Sequence, residues 1–482
     1  MSYKHGVTTQ EMDTAVVATV ETGTLDFVVG TAPVNMNPDR EYSVNSVELV
    51  YNYTEAVEKF GDTDDFENYT ICEKIDAHFS KFGFGPLAIV NVLDPAIHKA
   101  DVTDEVVTYT SGKATLAEFG ILLNTLLIKD AAGAVTYAED TDYILSFDDD
   151  GKVIVSVISG GALDAATTGK AYYSKLDPSL VDADDIVGGI DGTTGAKEGL
   201  ELVHEVYPKF RLIPTTISSP KWSGVTTVEA VMKAKAAAIN GMFKAIALVD
   251  IPTGTIKKYS DAPGWKNDNN YVDTHEAVFW PKVSLGEKQY HLSSQASALM
   301  MKTFADYDDV PYRSISNKSL QADSSVLSDK TEVKLGIDEA NYLNGQGIIT
   351  ALNFSNGWTM WGNRTGAYPG DTDPKNSWLV QRMMFNWVSN KLILTYASKV
   401  DDPTNRRLIR TITDSNNIWL QGLTNKEYIL GGRVEFLDSE NTVDQLIDGK
   451  IVFHLYFATP NPAEEIQFKI ELDTSYFALL AA

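Results

Sequence analysis

The sequence predicts a mixed fold of the α/β class (mixed α+β), in which a mixed sheet flanked by helices carries a β-rich insertion and extended terminal segments. Apolar runs at 25–32, 85–95 and 243–250 indicate buried strands, and helical patterns separate them. Strands that alternate with helices form partly parallel sheets covered on both faces. Residues 96–185 carry short strands and turn signals instead, which favours a β-rich unit inserted into the α/β domain.

Composition sets limits on the function. The chain has 482 residues, 40 basic and 66 acidic, and a formal net charge of −26. This length can bury a large core, and this charge opposes wrapping a polyanion such as DNA. The single cysteine, Cys72, allows no intrachain disulfide and is expected in the core. No signal peptide and no uncharged run of membrane-spanning length is recognised, so a soluble protein folded in a cytoplasm is expected.

The N-terminal part begins with a polar leader, residues 1–20, that ends in TAVVATV. Its β-branched residues, Val16, Val17 and Val20, have little to pack against locally. The strand at 25–32 should stop at Pro33, and helices are expected near 54–60 and 69–82. A short strand bounded by Gly-Pro and Asp-Pro follows at 85–95.

The insertion at 96–185 is strongly acidic. Residues 100–185 contain 16 acidic and 5 basic side chains, a net of −11. One clear hairpin, DYILSFDDDGKVIVSVIS, places Asp150-Gly151 at its turn. This composition predicts an insertion that projects into water.

Residues 194–250 alternate helix and strand. The pattern predicts a helix over 194–207, a strand over 209–214 and a buried strand over 243–250. Between the strands, Thr226-Thr227-Val228-Glu229 resembles a capping box at the start of a helix, and Gly241 should stop that helix.

An Asn356-Gly357 pair lies between two apolar runs in residues 345–367. Asn-Gly accepts positive φ at both central positions and therefore predicts a tight type I′ hairpin. The first strand should place alternate residues on one buried face: Ile348, Thr350, Leu352 and Phe354. The second strand carries Trp358, Met360 and Trp361.

A helix is expected to begin at Asp373-Pro374. Two rows of apolar residues spaced four apart give it a wide stripe: Leu379, Met383 and Trp387, with Val380, Met384 and Val388. Residues 376–433 carry 8 basic and 4 acidic residues, a net of +4. Arg406, Arg407 and Arg410 form the densest basic cluster, either as a solvated helix face or as a surface for an acidic partner.

The chain ends in a segment with strict period-two alternation. Apolar residues alternate with Gln467, Lys469 and Glu471, and they are Ile466, Phe468, Ile470 and Leu472. This pattern predicts a strand with one apolar face. Pro460 and Pro462 separate it from the preceding strand, IVFHLYFA. Alternation alone leaves open whether it pairs within the chain or with a neighbour.

Catalytic and cofactor signatures are not found in the sequence. It has no G-x-S-x-G elbow and no H-E-x-x-H motif, and its seven histidines are scattered singly. GGIDGTTGAK at 188–197 fails the phosphate-loop spacing because Ala196 separates Gly195 from the lysine. No metal or cofactor is therefore expected, and each histidine is expected to be structural or at the surface.

Several stretches together resemble contractile phage tail sheath proteins. The hairpin region resembles that family in Leu343-Asn344, Gly347-Ile348, Gly357 and the WGNRT at 361–365. Further similar stretches follow in the family's order: VVGTAPV (28–34), AYYSKLDPSLVDADDIVGG (171–189), KFRLIPTTISS (209–219), HEAVFWPKV (275–283), SSQASALMMK (293–302) and PAEEIQFKIEL (462–472).

The resemblance implies a domain plan and a mechanism. Residues 1–20 and 459–482 would be N- and C-terminal arms that donate strands to neighbouring subunits, with Val16, Val17, Val20 and the four apolar residues at 466–472 as contacts. Residues 21–95 and 186–458 would form the inner domain, and 96–185 an outer insertion. The three arginines would face an inner tube.

The resemblance also implies partners and a location. The chain would form a helical homopolymer of stacked hexameric rings around an inner tail tube protein, together with baseplate and tail terminator proteins. It would contact no nucleic acid directly and insert into no membrane. It would reside in the virion tail after assembly in the host cytoplasm, and its contraction would drive the tube through the target cell envelope.

Two alternatives stay open. One is the sheath of a related non-phage machine, such as a secretion apparatus or a bacteriocin particle. The other is an α/β hydrolase-like enzyme without a recognisable motif, which a convergent pair of titratable groups in a deep pocket would support.

Overall fold

The computed structural model describes residues 23–37, 39–148, 150–355 and 357–480, apart from the side chains of residues 478 and 479. Val16, Val17 and Val20 lie outside the described residues. The structure confirms the mixed α/β class with a large mixed sheet, helices on its faces and a β-rich insertion.

The strands follow one another along the chain as β1 (Asp26–Gly30), β2 (Glu48–Val50), β3 (Leu87–Asn91), β4 (Lys99–Thr108), β5 (Lys113–Thr115), β6 (Leu127–Asp130), β7 (Tyr143–Phe147), β8 (Val153–Val157), β9 (Thr168–Leu176), β10 (Gly189–Ile190), β11 (Lys197–Glu198), β12 (Thr216–Ser218), β13 (Ile246–Asp250), β14 (Glu276–Phe279), β15 (Lys282–Leu285), β16 (Lys288–Tyr290), β17 (Ser324–Val326), β18 (Ile348–Asn353), β19 (Trp358–Trp361), β20 (Gly431–Glu435) and β21 (His454–Ala458).

The α-helices are α1 (Tyr53–Phe60), α2 (Thr70–Ile75), α3 (Ala183–Val187), α4 (Val203–Phe210), α5 (Thr226–Ala237), α6 (Ala262–Asp268), α7 (Leu292–Ala305), α8 (Ile337–Asn344), α9 (Pro374–Ser377), α10 (Leu379–Tyr396), α11 (Arg406–Asn425) and α12 (Val443–Ile447). A π-helical segment, Asp76–Phe82, continues α2 directly.

An eight-stranded mixed sheet forms the centre of the molecule, in the order β19-β18-β14-β13-β12-β1-β3-β2. Its six inner strands pair in parallel, and an antiparallel strand closes each edge. Strands β1, β3 and β13 are buried along their whole length, as their continuous apolar sequences predict. Helices α2, α5, α7 and α8 pack on the sheet and cover it.

A buried ion network lies within this core. The Lys74 Nζ atom lies 2.6 Å from Asp26 Oδ2, His78 Nε2 lies 3.3 Å from the same oxygen, and all three side chains are 0% exposed. Burial alone would raise the pKa of Asp26, but the Lys74 ammonium and its hydrogen bonds hold that pKa well below its usual value. Thr216 adds a hydrogen bond to Asp26 at 2.7 Å. The Asp26 carboxylate is therefore paired with the Lys74 ammonium within the core.

The insertion has a hydrophobic core of its own. Two three-stranded antiparallel sheets, β4-β9-β6 and β5-β8-β7, enclose apolar residues that include Leu116, Ile128 and Val155. The hairpin predicted around Asp150-Gly151 is confirmed as β7 and β8, which pair from Tyr143 to Val157.

A third core lies near the C-terminus. Helices α10 and α11 pack with the two-stranded sheet β20-β21 around Met384, Leu420 and Val434. The predicted apolar rows on α10 are confirmed, because Leu379 and Met383 reach the main core while Met384 and Trp387 reach this third core. Helix α10 thus joins the two cores.

The helix predicted over 194–207 exists but begins and ends later, as a 3-10 turn at Gly199–Leu202 that leads into α4, and the strand predicted over 209–214 is wrong. Lys197–Glu198 pairs with Gly189–Ile190, and Gly199 has a φ of +56°, where a Cβ would lie 2.5 Å from the Ile186 carbonyl oxygen. Helix α4 therefore starts only at Val203, continues through Phe210 and ends at Arg211 in the left-handed region.

The predicted capping box is also wrong. Helix α5 begins at Thr226 with Val225 as its N-cap and no side-chain cap. Glu229 is buried and lies 2.9 Å from Lys233 Nζ instead. The helix ends at Ala237, so Gly241 lies in the following turn and not at the C-terminal cap position.

The predicted hairpin exists, but its turn is longer than two residues. The last pair joins Asn353 to Trp358, which leaves residues 354–357 as the connection; Asn356 lies outside the described residues. Ile348, Thr350 and Leu352 are buried as predicted. Phe354 is 67% exposed, because it lies beyond the last pair of strand residues.

Candidate functional site

The C-terminal arm, residues 459–482, leaves the body directly after β21. Pro460 and Pro462 lack backbone N–H groups and so cannot continue the ladder with β20. Residues 459–473 form no helix or strand in the single chain. The predicted strand is thus unformed here, because no neighbouring backbone pairs with it.

The apolar residues of this arm are exposed to solvent. Ile466 is 71% exposed, Phe468 83%, Ile470 95% and Leu472 74%. Four large apolar side chains at alternate positions form one face of an extended chain. An exposed apolar surface of this kind typically marks an interaction site.

Among the described residues, the arm is attached to the body at its base. The Gln381 Nε2 group donates to the Thr459 carbonyl oxygen at 3.0 Å and to Asn461 Oδ1 at 2.6 Å. The Arg364 guanidinium lies 2.7 Å from Glu464 Oε2. Along residues 465–472 the described structure contains no hydrogen bond or ion pair to the body.

The sheet that the arm leaves has one covered edge and one open edge. The Asn417 side chain donates to the Val434 carbonyl oxygen at 3.1 Å and accepts from the Val434 N–H at 2.8 Å, which covers the outer edge of β20. Val434 pairs with Leu455, so the backbone groups of Leu455 and Phe457 point away from β20. No described residue bonds to them on that side, and β21 is an open edge.

The edge of the main sheet at β19 is covered. Residues 317–320 run beside it, with Leu320 N–H donating to Trp358 O at 2.9 Å and Met360 N–H donating to Lys318 O at 2.9 Å. An isolated antiparallel bridge joins Ser319 to Thr359. Of these two edges, the β21 edge is therefore the one that is open to a further strand.

The predicted basic cluster lies at the start of α11. Arg406 and Arg407 are its first two residues, and both are exposed, as is Arg410. No ion pair between described residues includes any of the three. Positive charge at a helix N-terminus is opposed by the helix dipole, so the cluster does not stabilise its own helix. The structure does not bring these arginines together with the C-terminal arm.

One polar cluster occupies the position where α/β enzymes have active sites, at the carboxyl ends of the parallel strands. Asp250, the last residue of β13, accepts hydrogen bonds from the Ser293 N–H and hydroxyl groups at the start of α7. The His291 Nδ1 atom lies 2.8 Å from Glu73 Oε2. Burial raises the pKa of Asp250. The serine bonds a carboxylate and not the histidine, so the cluster attaches α7 to the sheet and lacks a nucleophile–base pair.

Among the described residues, no group of three or more His, Cys, Asp and Glu side chains could hold a metal ion. No described helix has the length and apolar character needed to span a bilayer.

Sequence reasoning missed two features of the site. Arg364 lies within the WGNRT stretch, but nothing in the sequence shows that it meets Glu464, which lies 100 positions later. Asn417 lies in no motif that the sequence predicts. An asparagine in a helix facing a strand edge has no distinctive sequence pattern, so only the structure reveals this cover.

Known proteins resemble this chain over its whole length. It is 28% identical to the tail sheath protein of Burkholderia phage BcepMu over 498 aligned positions, covering 99% of this chain and 98% of that protein. No family model matches the chain.

Two solved structures have a similar fold. The helical sheath of the anti-feeding prophage in the contracted state gives a TM-score of 0.58 at 16% identity, covering 97% of this chain and 99% of that chain. A chain of the six-fold symmetrised baseplate of the same particle gives 0.57 at 14% identity, covering 98% and 100%. The chain is thus a homologue of a phage tail sheath protein and has the fold of contractile sheath proteins.

Proposed function

We propose that this chain is the structural subunit of a contractile tail sheath. Copies polymerise helically around an inner tube and contract by repacking, which drives the tube through a target cell envelope. The observation that carries this proposal is that one chain contains both an exposed apolar arm without a strand partner and an open strand edge. The full-length relationship to a tail sheath protein supports it.

The arm would act by strand addition to another subunit. Each backbone hydrogen bond formed between strands contributes about 0.5–1.5 kcal/mol net. Burial of each of the four apolar side chains contributes roughly 1.5–3 kcal/mol before entropy costs. The open edge of β21 in a neighbouring copy is the acceptor that best fits, because the Leu455 and Phe457 backbone groups there have no partner among the described residues.

The N-terminal arm would make the second link. In this proposal residues 1–20, with Val16, Val17 and Val20, add to a neighbour in the same way. The remaining division is an inner domain from 21–95 and 186–458, an outer insertion from 96–185 and a C-terminal arm from 459–482. Two arms for each subunit would join the sleeve into a mesh that survives while rigid domains repack.

Contraction would require no nucleotide and no catalysis. In this proposal the extended sleeve is a trapped state, and the contracted sleeve buries more surface between domains. The protein would thus be a structural component and not an enzyme. Purified protein should form tubes without any cofactor, whereas nucleotide hydrolysis by the pure protein would contradict this account.

The basic cluster at Arg406, Arg407 and Arg410 would face an acidic inner tube. Its exposure and the absence of ion pairs among the described residues support a partner of opposite charge. Stacked hexameric rings, attached to a baseplate and closed by a terminator protein, would complete the particle. The protein would reside in the virion tail after assembly in the host cytoplasm.

A sheath of a non-phage contractile machine is the second candidate. Structural similarity to the anti-feeding prophage favours it. The higher identity to a phage protein, 28% against 16%, favours the phage assignment. Genes beside the coding sequence for a phage capsid or for a secretion apparatus would separate the two.

The test replaces the apolar face of the arm. The combined variant Ile466→Ser, Phe468→Ser, Ile470→Ser and Leu472→Ser should leave a folded monomer that forms no sleeves in electron micrographs. The matched control, Gln467→Ser, Lys469→Ser and Glu471→Ser, changes the opposite face and should still assemble. Deletion of residues 460–482 should behave like the first variant, and normal sleeves from it would contradict the proposal.

A further inference from the structure

The attachment of the C-terminal arm ends at one residue, Glu464. Its carboxylate oxygens lie 2.7 Å from an Arg364 nitrogen and 3.4 Å from the Asn363 Nδ2 atom. The predicted donor strand begins two positions later, at Ile466. A fixed base therefore lies directly beside a segment with no attachment among the described residues.

Arg364 is held in place by aromatic rings. Its guanidinium carbon lies 3.7 Å from the ring centre of Trp378 and 4.5 Å from that of Tyr368. Its side chain is only 16% exposed, whereas that of Glu464 is 35% exposed. A guanidinium already fixed by stacking loses less conformational freedom when it pairs with a carboxylate.

Opening or closing this ion pair would change the length of chain between the body and the donor strand. With the pair closed, one residue separates Glu464 from the strand. If Glu464 and the Gln381 contacts released, residues 459–465 would become a tether that extends to roughly 23–25 Å at 3.3–3.6 Å per residue. A longer flexible tether lowers the effective concentration of the strand at any one acceptor position.

We infer that Arg364 is a positioning residue for strand addition: with Glu464 it forms a latch that fixes where the C-terminal arm leaves the body and how long its tether is. The closed latch presents the strand at one place, which sets the spacing between linked subunits. The open latch lengthens the flexible tether while subunits repack. This inference rests on the proposed function, since it assigns a role within strand addition.

The first experiment measures the position of the arm in the monomer. Spin labels at Asp338→Cys, which is exposed on α8, and at Gln467→Cys report the distance from body to arm. Cys72 is buried and can be retained. Glu464→Gln should broaden the distance distribution and shift it to longer distances. Glu465→Gln, the adjacent exposed residue, should leave the distribution unchanged.

The second experiment measures assembly. Glu464→Gln and Arg364→Lys should raise the protein concentration needed for sleeve formation about tenfold, through the lower effective concentration of the strand. Glu465→Gln should assemble like the wild type. Thermal unfolding of each monomer shows whether a variant is folded.

The outcomes separate the latch from the function on which it depends. If a monomer lacking residues 460–482 still forms sleeves, the proposed function fails. If that deletion prevents assembly but Glu464→Gln keeps the wild-type distance distribution and assembly concentration, only the latch fails. Equal broadening in Glu464→Gln and Glu465→Gln would also overturn the latch, because the effect would not depend on the Arg364 contact.

Discussion

Strand β3 and the C-terminal arm are both apolar extended segments, yet they have opposite environments. Leu87–Asn91 lies between β1 and β2, and all five residues are buried. In the arm, the four alternating apolar residues are 71–95% exposed. A continuous apolar run requires cover on both faces, and the body supplies it. The alternating arm requires cover on one face, and the single chain does not supply it. The stability of the body is therefore intrinsic, whereas that of the arm strand must come from another copy.

The largest expected difference comes from removing a buried charge partner. Lys74→Met leaves the Asp26 carboxylate buried without its ammonium, which should lower the free energy of unfolding by about 3–5 kcal/mol. The same substitution in the arm, Lys469→Met, should leave that energy within about 0.5 kcal/mol. Urea unfolding of the monomers measures both variants. Equal losses of unfolding free energy would contradict the difference between body and arm.

The next largest difference is expected between two isoleucines, one in β3 and one in the arm. Ile89→Ala in β3 should cost about 2–5 kcal/mol of unfolding free energy, because a fully buried side chain leaves a cavity. Ile470→Ala in the arm should leave monomer unfolding unchanged and reduce sleeve formation instead. A stability loss at Ile470 would show that the arm packs on its own body.

Removing the side chain that covers the β20 edge should have a smaller effect. Asn417→Ala should cost about 1–3 kcal/mol of unfolding free energy, because the Val434 N–H and carbonyl groups lose their partner. Asn425→Ala, at an exposed position of the same helix, is the control. Calorimetric unfolding of the monomers compares the two variants. An unfolding free energy of Asn417→Ala equal to that of the wild type would mean that the Asn417 hydrogen bonds do not stabilise this edge.

The last predicted effect depends on pH and is measured as a slope. Burial and the neighbouring Glu229 raise the pKa of Glu276 well above its ordinary 4.5. The folded chain thus binds a proton more tightly than the unfolded chain, so the stabilisation is complete below pH 4.5 and is lost as pH rises toward the folded pKa. The slope approaches about 1.4 kcal/mol per pH unit.

Two variants check this dependence. Glu276→Gln should remove that slope from urea unfolding measured at several pH values. Glu471→Gln, in the exposed arm, should retain the wild-type slope. A wild-type slope in Glu276→Gln would assign the pH dependence to other groups.

The predictions from sequence were most accurate where one pattern decided the structure. Continuous apolar runs located β1, β3 and β13, and the two rows on α10 located its buried face. They were wrong where tertiary contacts overrode local patterns. Glu229 is turned toward Lys233 and not back to a helix start, and Gly199 delays α4 through its positive φ.

The candidate site was predictable only in part. Alternation identified Ile466, Phe468, Ile470 and Leu472 as one face, and charge identified the three arginines. The acceptor edge at β21 and the Arg364–Glu464 pair join residues far apart in sequence. Such contacts depend on the folded arrangement of several elements, and no local spacing encodes them.

The most direct test of the central claim is an electron cryo-microscopy reconstruction of assembled sleeves at a resolution that traces the backbone. We expect residues 466–472 of each subunit to pair as a strand with the backbone of another copy and to bury their apolar side chains there. Sleeves in which both terminal arms fold back onto their own body and touch no other copy would contradict it.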